Sequence, residues 1–118
     1  MSTAALAPTT ITMTIPGGLA TTSIVTMAMP FDGQITGAYV AVTTAPAGSA
    51  LTADLKIGSN VAAVFSIAAA GTSDEGALSA QASNLNFVKG ALVSLDVSAV
   101  GSGTAGSNMT VAFTVVEG

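Results

Sequence analysis

No cysteine, histidine, arginine or tryptophan occurs in the chain, and lysine occurs only twice. Each absence removes a class of chemistry. Without cysteine there are neither disulfide staples nor thiolate ligands. Without histidine as well, a zinc site and a Ser-His or Cys-His nucleophilic dyad are impossible within one chain. Charged residues make up 7% of the sequence, far below the roughly 25% of ordinary soluble domains. Six acids against two lysines give a net charge of -4 and a pI near 4.1. Such a chain has no cationic surface with which to grip a phosphate backbone or anionic lipid, so nucleic acid and membrane are excluded as expected partners. A surface built from Thr, Ser, Gly and Ala also lacks the charge that keeps a small domain monomeric. Much of it is therefore expected to be covered by identical or different subunits, the alternative being a neutral, Thr/Ser-hydrated surface on a monomer.

The first charged residue is Asp32. The stretch before it has no positive n-region and is interrupted at Thr9-Thr10, Pro16-Gly17-Gly18 and Thr21-Thr22-Ser23. Neither a secretory signal nor a spanning helix is expected from it, and the chain reads as soluble and unexported. A length of 118 residues suits one domain, large enough to bury a core without metal or disulfide. The expected division is an N-terminal arm over residues 1–9, small in side chain and punctuated by Pro8, then a single β-sandwich domain over residues 10–118.

What is present is alternation. Ile11-Thr-Met-Thr-Ile15 points Ile11, Met13 and Ile15 one way and the threonines the other, the period of a half-buried strand. Pro16-Gly17-Gly18 is expected to end it, and Leu19 to Met29 reads as a longer β-prone run that bends or breaks near Thr22-Ser23. A turn at Asp32-Gly33 leads into a strand from Ile35 to Thr43, closed by Ala45-Pro46. Leu51, Ala53, Leu55 and Ile57 share one face of the next strand, with Thr52, Asp54 and Lys56 on the other. Gly58-Ser59-Asn60 has the length of a hairpin turn into Val61 to Ile67. From Gly71 to Asn86 the period is lost, and Asp74-Glu75 with Ser73 as cap suggests a single helical turn. Val93, Leu95 and Val97 mark a strand over Leu92 to Val97, and Val111, Phe113 and Val115 mark the last, Thr110 to Val116. Seven or eight short strands and no helix of normal length predict an all-β fold. The expected architecture is a two-sheet antiparallel sandwich of jelly-roll or immunoglobulin-like type.

Few motifs carry chemistry. Gly101-Ser-Gly-Thr-Ala-Gly106 fits G-x-G-x-x-G, but a strand rich in Val and Phe follows where the dinucleotide fold needs a helix N-terminus. Its glycines are expected to serve a hairpin loop with positive φ. Asn108-Met109-Thr110 has the form of a glycosylation sequon and, without an export signal, reads as chance. The acids lack the spacing of a calcium loop. A Ser-Lys pair using Lys56 or Lys89, or a carboxylate pair, is arithmetically possible, but charges on solvated strand faces are the simpler account. Alternation sets Tyr39 on the face of Ile35, Gly37 and Ala41, where it could stack a sugar; the simpler expectation is a packed ring with its hydroxyl bonded at a sheet edge. Phe31, Phe65, Phe87 and Phe113 are assigned to the core. No catalytic, cofactor-binding or metal-ligating residue is assigned, and the chain is not expected to be an enzyme.

Pro30-Phe-Asp-Gly-Gln-Ile-Thr-Gly-Ala-Tyr39, then Thr44-Ala-Pro-Ala-Gly48, then Leu51-Thr-Ala-Asp-Leu-Lys-Ile-Gly58 resemble a segment recurring in structural proteins of tailed bacteriophages. Leu95 to Val111, Leu-Asp-Val-Ser-Ala-Val-Gly-Ser-Gly-Thr-Ala-Gly-Ser-Asn-Met-Thr-Val, is similar to the closing hairpin of the same proteins. The resemblance spans about Pro30 to Val116 and carries over no catalytic residue. It implies a small jelly-roll module of about eight strands, found as head decoration (cement) proteins or as domains of fibres and spikes, commonly in trimers. One Tyr and no Trp, with no room for a separate attachment domain, favour decoration. The implied partner is the major capsid protein, and the implied location is the outer surface of a virion assembled from chains made in the host cytoplasm. The alternative is a tail fibre or spike module that recognises host glycan.

Overall fold

The computed structural model describes residues 9–117. The order of elements is β1 (Thr9–Gly18), β2 (Ile24–Ala28), β3 (Gly33–Ala41), β4 (Leu51–Ile57), β5 (Asn60–Ile67), β6 (Ser73–Glu75), β7 (Ala77–Leu78), β8 (Asn86–Phe87), β9 (Leu92–Ala99) and β10 (Ser107–Glu117). One 3-10 turn, Ala82–Asn84, precedes β8. All strand pairs are antiparallel and they nest: β1 with β10, β2 with β9, β3 with β8, and β4 with β5 as the innermost hairpin. Rolling this long hairpin adds the pairs β10 with β3 and β4 with β9. The result is one sheet ordered β1-β10-β3-β6, with β8 also on β3, and a second ordered β2-β9-β4-β5-β7. This wrap is a jelly roll, which resolves the choice that periodicity left open.

The alternating residues explain the core. Met109, Val111, Phe113 and Val115 of β10 are wholly buried, because β1 and β3 flank the strand and the second sheet covers its inner face. Leu51, Ala53 and Leu55 of β4 and Val93, Leu95 and Val97 of β9 do the same from the opposing sheet. Phe65 fills the layer between them. Two inward faces meeting in this way leave the Thr, Ser and Asp set outside, as the period of two requires. Phe87 is buried as expected, whereas Phe31 is half-buried and packs on it, ring centroids 5.9 Å apart.

Several expectations are corrected. Asp74-Glu75 is not a capped helical turn: Ser73–Glu75 pairs with β3, and the Asp74 carboxylate accepts a hydrogen bond from the Ser66 amide at 2.8 Å. The patternless stretch from Gly71 to Asn86 holds three strands of two or three residues, too short to show a period. Pro16-Gly17-Gly18 does not end β1; the strand runs to Gly18 through an irregularity after Ile15. The run from Leu19 to Met29 breaks at the Thr21-Thr22 turn, as one of its two expected forms had it, and only the five residues of β2 are strand. The strand expected to run to Thr43 stops at Ala41, β9 extends to Ala99, and β10 starts three residues early at Ser107. Of the expected arm, residues 1–8 lie outside the described residues, and Thr9 opens β1.

Two further corrections are geometric. Ile35 faces Val115 and Gly37 faces Thr114, so Thr36 is an extra residue. This β-bulge shifts the phase: Ala38 and Val40 turn inward and Tyr39 turns outward, off the face of Ile35. In the Gly101–Gly106 loop only Gly106 among the glycines has positive φ (101°). Gly101 is needed for space instead, since an added Cβ would collide with the Thr104 carbonyl and lie 2.8 Å from the Ala47 amide nitrogen.

Truncating Phe113 to alanine is expected to cost about 3–5 kcal/mol of folding stability, measured by urea denaturation. Gly101→Ala is expected to cost more than about 2 kcal/mol through its backbone collision, while Gly37→Ala, whose added Cβ meets nothing within 4 Å, stays within about 0.5 kcal/mol.

Candidate docking surfaces

With no cavity opening among the described residues and no cluster of acids that could hold a metal among them, the surfaces to consider are the two outer sheet faces, the flank and the two ends. The outer face of the first sheet is a hydroxyl lattice. Thr10, Thr12 and Thr14 of β1 stand beside Thr114, Ala112 and Thr110 of β10 in register, and the next row is Gly37, Tyr39 and Ala41 of β3. The Thr14 and Thr110 hydroxyl oxygens are 3.1 Å apart, and Thr36 Oγ1 donates to the Thr114 carbonyl at 3.3 Å. Tyr39 is 53% exposed in the middle of this face, not packed at an edge as expected. Glu75, opposite Tyr39 on β6, forms an acidic rim.

The second outer face carries three of the eight ionic residues, Asp54, Lys56 and Asp96. Ile24, Asp96, Asp54 and Val64 form one cross-strand row, so two carboxylates stand directly opposite each other. Lys56 lies on the same face and donates to Asp96 Oδ2 at 3.3 Å, each side chain about one third exposed (31% and 34%). The lysine thus sets a positive charge beside two acids that repel each other. Of the residues weighed for catalysis, Lys56 is engaged with Asp96 and Lys89 lies elsewhere, in the turn after β8. There the Lys89 amide donates to Asp32 Oδ1 at 2.7 Å.

The end formed by the β1–β2, β3–β4, β5–β6 and β9–β10 connections holds no charged residue. It is fastened by neutral groups instead. Gly103 N donates to the Ala47 carbonyl at 2.8 Å, Leu19 N to Gly106 O at 3.0 Å, and Ser102 N to Ser49 Oγ at 3.0 Å. Asn108, the residue of the sequon pattern, uses both ends of its amide here: Oδ1 accepts from Gly17 N at 2.7 Å and Nδ2 donates to Thr43 Oγ1 at 2.8 Å. It straps β1 to the loop after β3 from a left-handed conformation, φ 54°. Sequence reasoning missed this strap; the Asn next to a Gly-rich loop was its one signal.

The sandwich with this wrap is a fold shared with chains of phage capsids. A chain in the capsid of Ralstonia phage GP4 matches with a TM-score of 0.62 at 18% identity, covering 100% of this chain and 89% of that one. A chain in the capsid asymmetric unit of cyanophage Pam1 matches with a TM-score of 0.59 at 12% identity, covering 96% of this chain and 85% of that one. No protein-family model and no curated protein sequence matches the chain.

Replacing Lys56 by Met leaves Asp54 and Asp96 facing each other with no cation beside them. The variant is expected to lose up to about 1 kcal/mol at low salt. Most of that should return in 1 M NaCl, where screening is nearly complete, or in the double variant Asp54→Asn/Lys56→Met. Urea denaturation at both ionic strengths is the check.

Proposed function

We propose that this protein is a capsid decoration (cement) protein, a structural rather than catalytic component that binds the outside of a phage head as a homo-oligomer and stabilises it. The observation that carries this reading is the match of nearly the whole chain to nearly the whole of two chains in phage capsids. Those chains are little longer than this one, so each is itself a single small jelly roll.

The surface chemistry supports the reading. A hydroxyl-covered face and an uncharged end offer wide contact area without requiring a complementary charge on the partner. A module that binds only where major capsid proteins meet in the assembled, expanded lattice favours that lattice over its dissociated parts by mass action. The contact needed is of ordinary size, about 800 Å² on each partner. A second reading, a fibre or spike module for host glycan, is favoured by one feature, the exposed Tyr39 on its hydroxyl face; binding on a glycan array that is lost in Tyr39→Ala would support it.

Quantitative mass spectrometry of purified particles is expected to find the chain in fixed, high proportion to the major capsid protein. Particles lacking it should lose head integrity at lower temperature. A few copies per particle, or copies confined to the tail, would overturn the decoration reading.

A further inference from the structure

The absence of charge before Asp32 has a place in the fold. The described part of that stretch forms β1 and β2, which are the terminal strands of the two sheets. In the stacked sandwich they contact each other and lie on the same flank. Apart from β2, which has five uncharged residues, the other open strands are defended in the usual ways. β6 and β8 have three and two residues, β7 has two, and β6 carries Asp74 and Glu75. β1 has ten residues, no charge, and no irregularity from Thr9 to Ile15. Every alternate residue of that segment presents an N–H and a C=O that no strand among the described residues receives.

We propose that the β1 edge, Thr9 to Ile15, pairs antiparallel with the β1 edge of a second copy of this chain across a two-fold axis. The proposal deepens the homo-oligomeric part of the function given above and rests on it. Three observations choose a second copy as the occupant. A strand of this length needs a partner of similar length, and among the described residues the other terminal strands have five residues or fewer. Directly opposed residues in an antiparallel pair share a face, so pairing centred on Thr12 sets Thr10 against Thr14 and Ile11 against Met13. Threonines then meet threonines on the outer face, a favourable cross-strand pair, and apolar groups meet on the inner one. Ile11, only half-buried in the isolated chain, gains cover. Finally, two copies approach through this flank without bringing any of their net negative charges into opposition, since the nearest acid along the sheet, Glu117, lies beyond the end of the segment.

The contact is two-fold and closes with two copies, unlike the trimers that the phage resemblance implies. A seven-residue pair buries less than the ~800 Å² per partner of a stable complex, so the pairing in free solution is concentration-dependent. Sedimentation equilibrium on the full chain from about 1 μM to about 1 mM is expected to show the mass moving from one chain toward two. Thr12→Lys, an exposed position, sets two cations together at the axis and should weaken pairing at least tenfold. Gln34→Lys, the same charge change on β3, should pair as the unmodified chain does. Circular dichroism melting confirms that both variants fold. A single-chain mass at every concentration, a three-chain mass, or unchanged pairing in Thr12→Lys overturns the proposal. Head binding by Thr12→Lys separates this result from the function: binding retained without pairing removes only the edge contact, whereas pairing without any head binding by the unmodified chain removes the decoration reading.

Discussion

The pairing of β1 with β10 is the constraint on which the structure depends. It joins Thr9 to Val115 and Thr14 to Thr110, the two ends of the described chain, and so fixes every nested pair inside it. Once β10 is held between β1 and β3, its inward residues have no route to solvent, and the wholly buried Met109, Val111, Phe113 and Val115 follow. A slip of one residue in this register would turn all four outward and bring threonines into the core. Local propensity alone does not choose the register; the burial of alternate side chains does. The entropy of closing so long a loop is set against the area buried by a whole sheet face.

The parts of the fold legible in the sequence are those where six or more residues alternate. β4, β9 and β10 carry apolar residues at every second position, and their inward faces are readable residue by residue. The fold class followed from such strands and from the glycine and proline punctuation between them. Where alternation is interrupted, reading along the chain fails for a physical reason. Thr36 is one extra residue opposite an unbroken partner, and it reverses the side of every residue after it up to Ala41. Gly37 inside an otherwise β-branched run was the available sign, since glycine in a strand often marks a bulge. β6, β7 and β8 exist because neighbouring strands offer them hydrogen bonds, a tertiary cause with no signature in two or three residues.

The docking surfaces were legible only as composition. Low charge said that the exterior would be neutral, but not where the eight ionic residues would stand. The fold concentrates them: Asp54, Lys56 and Asp96 on one outer face, Asp74 and Glu75 on a short edge strand, and Asp32, Lys89 and Glu117 toward one end, where Glu117 pairs with Gly33. The opposite end, the hydroxyl face inside its Glu75 rim and the flank of β1 and β2 are left neutral. Segregation of this kind needs three-dimensional adjacency, because residues 12, 39, 112 and 75 form one row across four strands.

A neutral, hydroxyl-rich surface sets the manner of binding that the proposed function requires. Threonine hydroxyls are well hydrated when free, so each one covered must find a partner or lose about as much as it gains. Docking through such a face therefore has little long-range attraction and modest strength per site. It also has little dependence on salt, in contrast to surfaces that rely on ion pairs. A weak site becomes effective when it is repeated, because contacts made together by linked copies act at high local concentration. A shell presents the same junction many times, and an oligomer presents the same face more than once. The scarcity of charge, which reads in the sequence as a deficit, thus suits a module whose affinity comes from multiplicity and area, with no single strong residue needed to hold it in place.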